Sequence, residues 1–123
     1  LGLATADFDG DGWLDIVVSG PGELPLLWMN RCGSGQWLGI DLVAGGNNAE
    51  GYGARVEVVT GEQTRVRELT NLRGRAQRPS RLHFGLGAVD RVDSVRVTWP
   101  DGSSSTVEDV ASGSWLTLHQ DAP

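Results

Sequence analysis

The chain contains one cysteine and no apolar run of membrane-spanning length, and each shortage closes off a class of protein. A lone Cys32 excludes an internal disulfide framework and a cysteine-type zinc site, so it reads as a spare or buried thiol. Without about 20 consecutive apolar residues there is no candidate transmembrane helix. Basic residues are outnumbered: ten arginines stand against 16 aspartates and glutamates, giving a net charge of -6. That balance argues against general affinity for nucleic acid or an anionic membrane. A nucleophilic serine would need a Gly-x-Ser-x-Gly turn, which is missing. A dinucleotide fingerprint begins at Gly51 and Gly53 but fails at Val56, where its third glycine belongs. The chain opens at Leu1 with neither a methionine nor a basic start before an apolar run, so the expectation is a segment of a longer protein.

What is present points to β structure. Eighteen glycines, five prolines and five tryptophans in 123 residues, with no long apolar stripe at helical spacing, favour short strands and tight turns. The expected class is all-β. β-Branched Ile16–Val18 and apolar Leu26–Met29 read as two short strands around the Gly20-Pro21-Gly22 turn. Beyond a Gly-Ser-Gly segment the pattern predicts seven strands: 37–43, 55–60, 64–69, 82–86, 92–99, 104–107 and 115–119. Val56 and Val58 alternate with Arg55 and Glu57 in the period of a half-buried strand. Pro100-Asp101-Gly102 marks a turn between the strands around it. Seven short strands at this spacing suggest an antiparallel β-sandwich. The breaks divide the chain into residues 1–31, which hold an acidic loop and two short strands, a linker at 32–36 and the sandwich at 37–120.

The chemistry concentrates in one loop. Asp7, Asp9, Asp11 and Asp15 occupy positions 1, 3, 5 and 9, with Gly10 and Gly12 between them. Calcium is a hard cation that takes six to eight oxygens, and alternating aspartates in a tight loop supply converging carboxylates. Gly12 permits the bend, Trp13 is expected to offer its backbone carbonyl at position 7, and Asp15 closes the shell. Two like charges at about 4 Å repel by about 4 kcal/mol at an effective dielectric near 20, so such a cluster calls for a cation. Position 12 is Val18, not the bidentate glutamate of an EF-hand. Magnesium is the alternative metal, although it keeps its waters and rarely uses an all-protein cage. A bare acidic turn and a catalytic carboxylate pair are the competing readings; four carboxylates on one loop suit glycoside hydrolysis poorly.

These residues carry a resemblance. Asp7-Phe8-Asp9-Gly10-Asp11-Gly12 with Trp13-Leu14-Asp15-Ile16-Val17-Val18 resembles the calcium loop of an FG-GAP or VCBS propeller repeat. Trp37-Leu38, Asn48, Gly53-Ala54-Arg55-Val56, Arg81-Leu82-His83-Phe84-Gly85-Leu86-Gly87 and Val95, Val97, Trp99-Pro100-Asp101-Gly102 resemble an ASPIC/UnbV domain. The pairing, in this order, is that of the cartilage acidic protein-like family. It implies a secreted or cell-envelope, calcium-dependent, non-catalytic module for adhesion, scaffolding or ligand recognition. The alternative is an accessory region of a secreted enzyme. The family pattern is broken around Gln77, where Arg75, Arg78 and Arg81 stand.

Other residues carry weaker signals of function. Arg65, Arg67, Arg73, Arg75, Arg78 and Arg81 could grip a sulfated or carboxylated glycan. For Arg65 and Arg67 the favoured expectation is a solvated outer strand face. A structural role is expected for His83, exposure for His119, and burial for all tryptophans except Trp13.

Overall fold

The computed structural model describes residues 1–31, 33–71 and 81–121. Every regular element among them is a β-strand, ten in all: β1 (Gly2–Ala6), β2 (Asp15–Ser19), β3 (Leu26–Trp28), β4 (Gln36–Val43), β5 (Arg55–Thr60), β6 (Gln63–Glu68), β7 (Arg81–Gly87), β8 (Arg91–Thr98), β9 (Ser104–Ala111) and β10 (Ser114–His119). No helix among the described residues is long and apolar enough to cross a membrane. The chain is all-β, as the composition predicted, and it divides into two compact units between Ser34 and Gly35.

The first unit carries a three-stranded antiparallel sheet ordered β1-β2-β3. Strand β1, which the sequence pattern did not mark, pairs along its whole length with β2, from Gly2 opposite Ser19 to Ala6 opposite Asp15. Between these two partners, Ala6 and Asp15, lies the acidic loop, which is thus the connection of a hairpin.

The second unit stacks two sheets around one core. One sheet has the order β10-β4-β7 and the other β6-β5-β8-β9. Alternation places Leu38, Ile40 and Leu42 of β4 and Leu82, Phe84 and Leu86 of β7 inside, facing Val56 and Val58 of β5 and Val95 and Val97 of β8. Trp99, only 2% exposed, fills the end of this core and donates its indole N–H to Ser105 Oγ at 2.9 Å. A buried indole nitrogen needs such an acceptor. The Pro100-Asp101-Gly102 turn forms as expected: Gly102 N–H donates to Trp99 O at 2.9 Å, with Gly102 in the left-handed region at φ 88°.

Two features depart from the strand pattern. Strands β4 and β10 pair in parallel, from Ser114 opposite Leu38 to His119 opposite Val43. This pairing joins segments far apart in sequence, so no turn residue announces it. Strand β9 runs on to Ala111, beyond the expected end at Val107, through Asp109 at φ 56°. Aspartate is among the non-glycine residues that tolerate this conformation. Asp109 also accepts from Arg91 Nε at 2.6 Å across the strand pair.

The arginines of β6 lie opposite to expectation. Arg65 pairs with Val58 and Arg67 with Val56, and both valines are fully buried. Residues directly opposite one another share a sheet face, so both arginines belong to the core-facing side of an edge strand. Arg67 lays its guanidinium over Phe84, 5.5 Å from the ring centroid, and Arg65 donates to Thr60 Oγ1 at 2.7 Å. Val66, on the other face, is 45% exposed. The aliphatic stems of the two arginines cover the open side of the core while their charged ends reach solvent or a hydroxyl. Arg73, Arg75 and Arg78 lie outside the described residues, as does Cys32.

Candidate metal centre

Three of the sequence-selected aspartates converge. Asp7, Asp9 and Asp15 each place one carboxylate oxygen so that all three atoms lie within 4.8 Å of one another. Two oxygens bound to one calcium at about 2.3–2.6 Å can be no more than about 5 Å apart, so the three fit a shared cation.

The loop backbone sets this convergence. Asp7 accepts from the N–H groups of Gly10 at 2.7 Å and Asp11 at 3.1 Å on Oδ1, and from Gly12 at 2.8 Å on Oδ2. A chain that folds back on its own first carboxylate must turn sharply, and Gly10 and Gly12 take φ values of 79° and 93° to do so. Asp9 Oδ1 accepts more weakly, from Asp11 N–H at 3.2 Å.

Asp15 is anchored differently. Its side chain is fully buried, Oδ2 accepts from Phe8 N–H at 2.9 Å and Oδ1 accepts from Asn30 N–H at 2.7 Å. A buried carboxylate needs such donors to offset its lost hydration. Each oxygen retains a lone pair, so the same group can still contribute to a cation shell. Asp15 thereby ties together the start of the loop, the start of β2 and the segment after β3. Asn30 carries no sequence signal for this role, because it contributes only a backbone amide.

Asp11 and Trp13 stand apart from the converging group. Asp11 Oδ1 accepts from Trp13 N–H at 2.9 Å, closing a small Asx turn, and it is not one of the three clustered carboxylates. The Trp13 ring, half-buried, lies against Gly33, where an added Cβ would come within 2.6 Å of the indole Cε2. Gly33, read from sequence as linker, is therefore a packing residue of the loop.

Outside the loop, two carboxylates are held acidic by their neighbours. The hydroxyl and then the backbone N–H of Ser103 hold Asp101 below the usual carboxylate range. The Arg91 guanidinium, by hydrogen bond and by charge, holds Asp109 below that range, and Asp109 in turn raises Arg91.

The family described as ASPIC and UnbV matches residues 44–123, and the FG-GAP repeat matches residues 1–36. The chain belongs to the ASPIC and UnbV family, preceded by an FG-GAP repeat, a β-propeller type of unit. It is similar to Cartilage acidic protein 1 of Homo sapiens, 32% identical over 127 aligned residues that cover 91% of this chain and 17% of the relative. It is likewise 33% identical to Cartilage acidic protein 1 of Mus musculus over 116 residues, covering 82% of this chain and 16% of that protein. The chain thus spans about a sixth of the length of these curated relatives.

Proposed function

We propose that the loop from Asp7 to Asp15 binds calcium and that the chain is a non-catalytic, calcium-stabilised module working outside the cytoplasm in adhesion, scaffolding or ligand recognition. The convergence of Asp7, Asp9 and Asp15 within 4.8 Å carries this reading. In this reading Asp7, Asp9, Asp11 and Asp15 supply carboxylate oxygens and Trp13 supplies its backbone carbonyl. Bound calcium would neutralise charges that otherwise repel across a few ångströms and would lock the β1–β2 hairpin. An all-oxygen donor set on a glycine-bent loop favours calcium over magnesium, which demands closer, near-octahedral ligation.

The same reading assigns residues 1–31 to a propeller repeat, 32–36 to a linker and 37–120 to the ASPIC/UnbV sandwich. The order FG-GAP repeat then ASPIC and UnbV supports it. Similarity to a protein named for cartilage supports an extracellular or cell-envelope setting and an extracellular protein or glycan as partner.

Isothermal titration of the chain with calcium and with magnesium tests the site. Saturable calcium binding, weaker magnesium binding and loss of both in Asp9→Ala are expected. Calcium heats unchanged in Asp9→Ala would remove the loop as the site.

A further inference from the structure

Outside the metal loop, the outer face of the β10-β4-β7 sheet has a composition unlike an ordinary solvated face. Register places Trp115, Gly39 and His83 side by side across the three strands, and Thr117, Asp41 and Arg81 in the next outward-facing row. An aromatic row thus runs beside a polar one, one strand pleat apart. The rings cooperate: Trp37 stacks on His83 with centroids 5.7 Å apart and planes 8° apart, and Trp115 tilts against Trp37 at 5.8 Å.

Gly39 makes this packing feasible. An added Cβ there would fall 2.2 Å from the Trp115 ring, so the indole lies flat across the bare backbone of β4. At Gly85, opposite Trp37, an added Cβ would meet nothing within 4 Å, leaving open space beside the ring pair. Trp115 nonetheless remains 37% exposed. The expectation that this tryptophan is a core residue is thereby corrected: the strand alternation that sends Leu116 and Leu118 inward turns Trp115 outward.

Arg81 completes the face. Its Nε lies 2.9 Å from Asp41 Oδ1 in an ion pair, its guanidinium carbon lies 4.6 Å from the Trp115 ring centroid, and its side chain is 52% exposed. The ion pair and the ring hold the guanidinium in one orientation, so little rotamer freedom remains to be lost on binding. Its terminal nitrogens are left to face an incoming acceptor. A forked cation fixed on an aromatic surface suits a carboxylate on an amphipathic ring.

We propose that this face binds an acidic saccharide of the uronate class. The sugar carboxylate pairs with the Arg81 fork, its apolar C–H surface lies against exposed Trp115, and its hydroxyls reach Asp41 and Thr117. The proposal gives the ligand-recognition reading a chemical class and a location, but it does not depend on calcium. Of the arginines first considered for glycan binding, it rests on Arg81 alone.

Titration with oligogalacturonate in EGTA, against its methyl-esterified counterpart, tests the proposal. Wild-type chain should bind the free acid at least tenfold more tightly than the ester, and Arg81→Gln should lose that preference with its unfolding transition retained. Asp9→Ala should bind as the wild type does, which separates this site from the metal loop. Equal binding of acid and ester, no binding of the acid at millimolar concentration, or an acid preference that survives in Arg81→Gln would overturn it. So would loss of the preference in Asp9→Ala. Thr117→Val, which keeps the shape and removes the hydroxyl, should weaken binding without abolishing the acid preference.

Discussion

The two units of this chain solve the problem of stability in opposite ways. All the buried hydrophobic side chains among the described residues, from Leu38 to Leu118, lie in the second unit. In the first, the fully buried large side chain is the carboxylate of Asp15, while Leu3, Leu26, Leu27 and Trp28 on its strands are more than half or about half exposed. Apolar burial at about 25 cal/mol per Å² can hold the sandwich together. The hairpin instead relies on backbone N–H donors aimed at the carboxylates of Asp7, Asp9, Asp11 and Asp15 and, in the proposed function, on a cation.

This contrast predicts that damage to each unit has its own signature. The largest effect should come from Phe84→Ala, which removes a ring that is 1% exposed between the sheets; a loss of about 3–5 kcal/mol in urea unfolding is expected. Added calcium should not restore it. Asp15→Ala should rank next, orphaning the Phe8 and Asn30 amides at about 1–3 kcal/mol each and abolishing any calcium response. Faster hydrogen exchange confined to those amides and the loop would register the change.

Gly33→Ala should cost about 1–3 kcal/mol, because the new methyl group meets a rigid indole. Its readout is a shift in tryptophan emission as Trp13 is displaced. A silent Gly33→Ala would detach the segment after β3 from the loop. The smallest effect belongs to the fully exposed Arg91–Asp109 pair. Asp109 is held below its usual acidity range, so its contribution is present above about pH 4, the unfolded-state value, and is lost as the pH falls through the lower folded value. Asp109→Asn should therefore flatten the acid limb of the stability curve slightly, and salt should shrink the difference.

The sequence was most legible where local chemistry sets local structure. Alternation marked β5 from Arg55 to Thr60 without error, and strands β4, β7 and β10 within one residue at their starts. The aspartate and glycine spacing picked out the loop because its geometry is made within nine residues. Legibility failed where pairing decides. Strand β1 carries small residues, Gly2, Ala4 and Ala6, with little β-propensity of their own, and exists by its match to β2. The parallel β4–β10 contact left no turn behind it. Polarity alone points Arg65 and Arg67 outward, whereas at the edge of a sandwich a long arginine stem can serve as cover for the core. Within the site, the spacing brings out the aspartates together but carries no sign of the Asx turn that Asp11 Oδ1 makes with the Trp13 amide. Backbone donors such as Asn30 have no side-chain signature by which to be found.

In the proposed function a cation organises the first unit and leaves the second alone. Hydrogen exchange of the intact chain, compared in calcium and in EGTA, reads both units at once. Calcium should slow exchange at Phe8, Gly10, Gly12 and Asn30 and leave the amides of β4, β5 and β8 unchanged. Unchanged exchange in the loop, or equal slowing in both units, would contradict it.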